Sequence, residues 1–115
     1  PDCFFVFGSN LGGVHGAGAA KSAREEYGAR PGVGAGFTGR SYAIPTKDVY
    51  IQTLPLEIIQ VYVEDFVRVT NTSRRHFLVS AVGCGLAGYT HEQIAPFFRG
   101  SKNCWFPMEW QPHLT

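Results

Sequence analysis

Two stretches of this sequence have the residue types needed to hold an anion. Gly8 to Gly18 contains Gly8, Gly12, Gly13, Gly16 and Gly18, and Gly83 to Gly88 contains Gly83, Gly85 and Gly88. Glycine lets a backbone come close to a ligand and turn successive N–H groups toward it. A helix N-terminus behind such a loop adds unpaired donors and partial positive charge. Each hydrogen bond to a charged partner contributes roughly 1.5–3 kcal/mol net, so a few amides can hold a diphosphate without a basic cluster.

Better-known phosphate loops do not fit. The Walker pattern counted from Gly13 and Gly18 needs a lysine where Ala19 stands, and Lys21-Ser22 comes two residues late. The dinucleotide fingerprint counted from Gly16 and Gly18 needs a glycine where Lys21 stands. These mismatches argue against a kinase, an NTPase or an ordinary dehydrogenase.

Other residues near the loops each fit two roles. Asn10 is a hydrogen-bonding partner for ribose hydroxyls or a turn-former. His15 borders the first loop as an acid, a phosphate contact or an incidental loop residue. Cys84, within the second loop, is a thiol activated by a helix N-terminus or a small buried residue. Tyr89 and Phe106 are stacking partners for a ribose or base, or core aromatics. Lys47 follows a core strand beside the expected pocket, and by its residues alone Lys47-Asp48 reads as a solvated turn pair. Ser9 and Thr46, polar residues near strand ends, join the ligand-binding candidates by position, without individual roles.

The elements that must carry these residues follow from periodicity. Cys3-Phe4-Phe5-Val6-Phe7 is an unbroken apolar run, suited to a strand buried on both faces and ending at Gly8. Ala17 onward reads as a helix stopped by Gly28. Val33–Phe37 suits a short edge strand in a glycine-punctuated loop. Ser41–Ile44 reads as a strand closed by Pro45, followed by a polar connection from Thr46 to Thr53. From Pro55 to about Asn71, Ile58, Ile59, Tyr62, Val63, Phe66 and Val67 repeat at helical steps, with Pro55 in the first turn. His76–Val82 reads as a central strand leading into the second glycine loop. Thr90 with Gln93 forms a capping box that opens a helix to about Arg99, and Cys104–Phe106 suits a last short strand. This alternation predicts one α/β domain with a parallel-rich sheet, helices on both faces and both glycine loops at its carboxyl edge.

Composition sets the outer limits. At 115 residues there is room for one domain, and a 44% hydrophobic content supplies its core. A charged fraction of 17% argues against disorder, and a net charge of +1 against a broad nucleic-acid or anionic-lipid surface. Cys3, Cys84 and Cys104 form no CxxC pair and combine with no histidine at zinc spacing, which predicts a reduced, intracellular chain without a metal. No apolar run is long enough to span a bilayer, and no signal peptide is expected. The tail Trp105–Trp110 either covers the core or contacts another chain.

Taken in order, Gly16-Ala17-Gly18-Ala19-Ala20 behind an asparagine-bearing loop, Ile44-Pro45-Thr46-Lys47 and Gly83-Cys84-Gly85-Leu86 resemble the macrodomain family. The similarity runs over about residues 4 to 106 and is nearest to the branch of terminal ADP-ribose protein glycohydrolases and DNA ADP-ribosyl glycohydrolase antitoxins. The resemblance implies a three-layer α/β/α fold with a mixed, mostly parallel sheet. It implies that Asn10 to Gly18, including His15, Gly16, Ala17 and Gly18, wraps the proximal ribose and diphosphate. Gly83, Cys84, Gly85, Leu86, Ala87, Gly88 and Tyr89 would cradle the phosphates from the other side. Lys47 matches the lysine that attacks the anomeric carbon, a role that requires the amine to shed its proton. Ala87 stands where the protein glycohydrolases carry an aspartate, whereas antitoxin-like members accept a small residue. The acidic residue often placed to read adenine has no counterpart.

The expectation is therefore a cytoplasmic ADP-ribose-binding protein, hydrolysing the ADP-ribosyl bond or capturing the nucleotide without turnover. No cofactor is required. The partner is ADP-ribose or an ADP-ribosylated macromolecule, with nucleic acid met only through a modified base and no membrane.

Overall fold

The computed structural model describes residues 3–115. Its first strand, β1 (Cys3–Asn10), runs past the apolar stretch to include Ser9 and Asn10. Both are buried, and they pair with Pro45 and Lys47 of β3 (Ser41–Lys47), so the ladder carries polar residues to the strand end. β1 lies parallel to β3 on one side and to β4 (His76–Val79) on the other. With β2 (Gly36–Thr38) and β5 (Cys104–Trp105) the sheet order is β2-β3-β1-β4-β5.

The sheet is mixed, which corrects the expectation of a mostly parallel one at its β2 edge. β2 runs antiparallel to β3 because only Gly39 and Arg40 separate them, far too short a link for a crossover. Pro45 does not close β3 as expected but lies inside it. The Phe5 N–H donates to the Arg40 carbonyl, so alternate positions from Arg40 face β1 and Pro45 faces away. On that side β2 pairs no further than Ala43, so the missing proline N–H breaks no rung. β4 is shorter than its apolar run: the Ser80 N–H and hydroxyl both still donate to the Val6 carbonyl at 3.0 and 2.7 Å, and the chain turns just after it, where the Val82 N–H donates to the Ser80 carbonyl at 2.7 Å.

Successive side chains on a strand face opposite sides, and the core divides accordingly. Val6, Tyr42 and Ile44 join Ile59, Val63 and Phe66 of helix α2 (Leu56–Thr72) in the larger cluster. Phe7 and Ala43 join Ala20 and Ala23 of helix α1 (Gly18–Tyr27) in the smaller one. The alanine face lets α1 lie close to the sheet, and α1 ends as expected at a left-handed Gly28. Ile58, expected on the buried stripe of α2, is 43% exposed. The stripe is Ile59, Val63, Phe66 and Thr70, and Ile58 falls off its edge.

The capping box at Thr90 forms with both hydrogen bonds, but the helix behind it, α3 (His91–Ile94), lasts one turn. Pro96 has no N–H to continue the ladder, and Ala95–Phe98 tightens into a 3-10 helix. The C-terminal 3-10 helix Met108–His113 seats Trp110 in the core against Phe98 and Phe106, with its Nε1 donating to His91 Nδ1 at 2.9 Å. The tail thus covers the core through Trp110, while Trp105 and Met108 stay exposed. Cys3, Cys84 and Cys104 are free thiols. Among the described residues, no helix is long and apolar enough to cross a membrane.

Candidate functional site

At the carboxyl ends of β1, β3 and β4 lies a cavity of about 610 Å³. The parallel ladders bring these three ends to one edge, so the loops leaving them must face each other. Both glycine loops line this one cavity, together with Lys47 from β3.

The first loop is anchored by its buried side. Asn10 Nδ2 donates to the Val14 carbonyl at 2.8 Å, and Asn10 Oδ1 accepts the Val14 N–H at 3.0 Å. The Ser9 hydroxyl donates to the Gly34 carbonyl. Gly13 has φ of +68°, and a side-chain carbon there would fall 2.3 Å from the Gly32 backbone. Gly34 meets the Asn10 carbonyl equally closely. These glycines are demanded by backbone-on-backbone packing.

Gly16 and Gly85 are different. Neither has a positive φ, and a side-chain carbon at either would meet nothing within 4 Å. Both line the cavity. Packing within the fold does not require glycine at these positions, whereas close approach of a ligand to the backbone would.

The donors are also present. α1 begins behind Ala17 without a side-chain cap, and Ala17, Gly18, Ala19 and Ala20 all line the cavity. Its first N–H groups therefore lack side-chain partners, as at anion-binding helix ends. In the second loop the N–H groups of Cys84, Gly88 and Tyr89 bond to Ala81, Gly85 and Gly83 carbonyls. Those of Gly85, Leu86 and Ala87 make no backbone hydrogen bond among the described residues. Lys47 is the one cationic side chain on the cavity wall, and no carboxylate lines it, among the described residues. The arrangement favours a compact anion over a cation, and no group of three metal-ligating side chains occurs among the described residues.

Of the residues singled out from the sequence, Ser9, Asn10, Gly16, Ala17, Gly18, Thr46, Lys47, Gly83, Cys84, Gly85, Leu86 and Ala87 line the cavity. His15, Gly88 and Tyr89 do not. His15 is turned inward, buried edge-on against Phe7 at 5.3 Å between ring centres. Burial holds its imidazole below the ordinary value of 6.5; the nearby Val33 backbone partly opposes this and the Arg24 charge adds to it. Tyr89 is tied to the start of α2, its hydroxyl donating to the Leu54 carbonyl at 2.7 Å. Gly88 closes the turn behind it. Phe106 packs on Phe98 and Trp110 rather than near the cavity.

The geometry bears on two of these roles. Asn10 forms the turn with one N–H and its oxygen on Val14, and it also lines the cavity with its second N–H and second lone pair left over. Cys84 is not an activated thiol. Burial pushes its thiol upward, and nearby Trp110 offsets this in part.

Val14, inside the stretch from Asn10 to Gly18, also lines the cavity, and so does Ile51, which was not among the candidates. Ile51 belongs to a turn within the stretch read as a polar connection, where Val49-Tyr50-Ile51 is an apolar triplet that gave the available signal.

Compared with family models, with curated proteins and with solved structures, the chain matches none of them.

Proposed function

We propose that this chain binds ADP-ribose, or an ADP-ribosylated ligand, with the diphosphate held between the two glycine loops. The observation that carries this reading is the convergence of the uncapped start of α1 and the unpaired amides of Gly85, Leu86 and Ala87 on one cavity. Its volume, about 610 Å³, falls within the range of roughly 300–1,000 Å³ common to small-molecule sites. A lone ammonium from Lys47 adds charge without forming a general basic surface.

The finer fold reading follows the same line. Hydrophobic clusters on opposite faces of the sheet, one with α1 and one with α2, favour a three-layer α/β/α macrodomain-like arrangement. Free thiols fit a reducing compartment such as the cytoplasm.

Turnover is the second reading, favoured by one observation: Lys47 reaches the cavity wall beside the end of β3. In that case the neutral Lys47 amine attacks the anomeric carbon of the ADP-ribosyl group, the bond to the protein or modified base breaks and its leaving oxygen or nitrogen takes up a proton, and water then hydrolyses the lysine adduct to free ADP-ribose. Without turnover, the same site captures the nucleotide as a binding module.

Calorimetry and thermal shift with ADP-ribose test the binding claim. Saturable heat and a raised Tm are expected; the absence of both heat and shift at millimolar nucleotide refutes it.

A further inference from the structure

The sheet is covered unequally on its two faces. On one, α2 and every later helix share a single cluster that includes Ile94, Phe98 and Trp110. On the other, α1 is the one helix among the described residues, and its Ala20 and Ala23 pack with Phe7 of β1 and Ala43 of β3. Leu78 of β4 lies in register with Phe5, and Trp105 of β5 with Leu78, so both share the face of α1. The half of this face over β4 and β5 is open. Leu78 is 42% and Trp105 54% exposed, with the exposed His76 ring 5.2 Å from that of Trp105. An apolar sheet face ordinarily buries itself against a second layer.

The same chain carries an apolar stripe that faces outward. On α2, Val61 is 52% exposed, beside the exposed Ile58 that lies off the buried stripe. Glu57 and Glu64 stand one turn before and one turn after Val61, about 10 Å apart by helical rise. Glu64 accepts from Gln60 Nε2 at 3.1 Å, and neither glutamate makes an ion pair among the described residues. Residues 54 to 65 contain three carboxylates and no Lys or Arg.

The open half of the sheet has the opposite sign. Arg74 stands two residues before β4 and Lys102 two residues before β5, at neighbouring strand starts. Neither is ion-paired among the described residues. Residues 66 to 108 contain five Lys or Arg and one carboxylate, Glu92. Apolar surface is thus joined to cations on the sheet and to carboxylates on α2.

We infer that copies of this chain associate head to tail, with Ile58 and Val61 of α2 from one copy seated on Leu78 and Trp105 of the next. The occupant is a second copy because both halves of the contact are present in one chain and match in hydrophobicity and in charge. The charges also select the pairing. Two sheet faces would bring Arg74 and Lys102 against their own kind, and two α2 stripes would do the same with Glu57 and Glu64. Only α2 on the sheet sets opposite signs together. A nucleic-acid strand matches less well, since it needs cations along its track, and Phe77–Ser80 and Cys104–Phe106 carry none. The two surfaces lie on opposite faces of the sheet, so each added copy leaves one of either kind free for another.

Sedimentation velocity on the full chain tests this. A contact confined to one helix stripe is small, so the sedimentation coefficient is expected to rise between about 10 µM and 1 mM. Leu78→Asp and Val61→Asp should each weaken self-association at least about tenfold. Mixed in equal amounts, the two should form a one-to-one dimer and nothing larger, since each retains the surface that the other has lost. Should Leu78→Asp fail to fold, Trp105→Ser takes its place. Arg74→Glu with Lys102→Glu should also weaken association, and adding Glu57→Lys and Glu64→Lys to the same chain should restore it. A wild type that stays monomeric at about 1 mM, whatever else its sheet face takes up, overturns the inference. So does self-association that survives Val61→Asp, or a mixture of the two apolar variants that stays monomeric.

Discussion

Asn10 holds Val14 by both ends of its amide, donating from Nδ2 and accepting at Oδ1, and so closes the first glycine loop at its root. Everything beyond that clasp, from Gly16 to the start of α1, inherits its position. Each such hydrogen bond contributes about 0.5–1.5 kcal/mol net. Asn10→Ala should therefore cost about 1–3 kcal/mol in denaturant unfolding and weaken ADP-ribose more than its stability loss alone explains. Asn10→Asp, which keeps the acceptor and loses the donor, should fall between.

Glycine positions separate packing from ligand contact. Gly13→Ala should unfold or severely destabilise the chain, since its side-chain carbon would overlap the Gly32 backbone. Gly16→Ala and Gly85→Ala meet open space and should leave the Tm within a degree or two. If amides at these positions approach a phosphate, both substitutions should weaken ADP-ribose about tenfold, or ~1.4 kcal/mol. Wild-type affinity in both variants would remove the backbone-contact claim.

Lys47 distinguishes turnover from capture. With hydrolysis, Lys47→Ala should lower the release rate at least about 100-fold, as removal of a reacting group does. ADP-ribose should still bind, weakened by no more than about 1.5–3 kcal/mol, because the loop amides remain. A release assay on an ADP-ribosylated substrate, paired with calorimetry, reads both quantities.

His15 makes stability depend on pH. Its folded imidazole resists protonation because burial strips the charged form of water, with the Arg24 charge adding to this and the Val33 backbone only partly opposing it. As pH falls below 6.5, the unfolded chain takes up a proton there that the folded chain refuses, so stability falls. The loss should begin near that value and level off below the lowered folded value. Thermal melts between pH 8 and 5 should show this slope in wild type and a shallower one in His15→Leu.

Much of the scaffold was legible because local signals agreed with the final packing. The apolar run into Gly8, the stop at Gly28 and the Thr90–Gln93 box all act within a few residues. Pro45 misled because its tolerance depends on where β2 ends, a fact about another strand. The direction of β2 likewise depends on the tightness of the Gly39-Arg40 link and on which edge of β3 was free. Both cavity loops were visible as glycine clusters, yet composition did not distinguish Gly13, packed on backbone, from Gly16, facing open space. The turn at Ile51 was invisible as a wall because its conformation is fixed by the Asp48 carboxylate. His15 was misplaced for a similar reason: a loop position gives no hint that the ring turns inward onto Phe7.

The outer strands of the sheet are very short, three residues in β2 and two in β5. Strand-by-strand growth into fibres needs a long unpaired ladder, and neither rim offers one. Arg75 lies over Phe4 and Phe37 at 5.0 and 5.1 Å, adding a charge beside the aromatic end of the β2 side. A chain this rich in aromatic residues is thereby shielded against edge-to-edge aggregation by the brevity of its own borders.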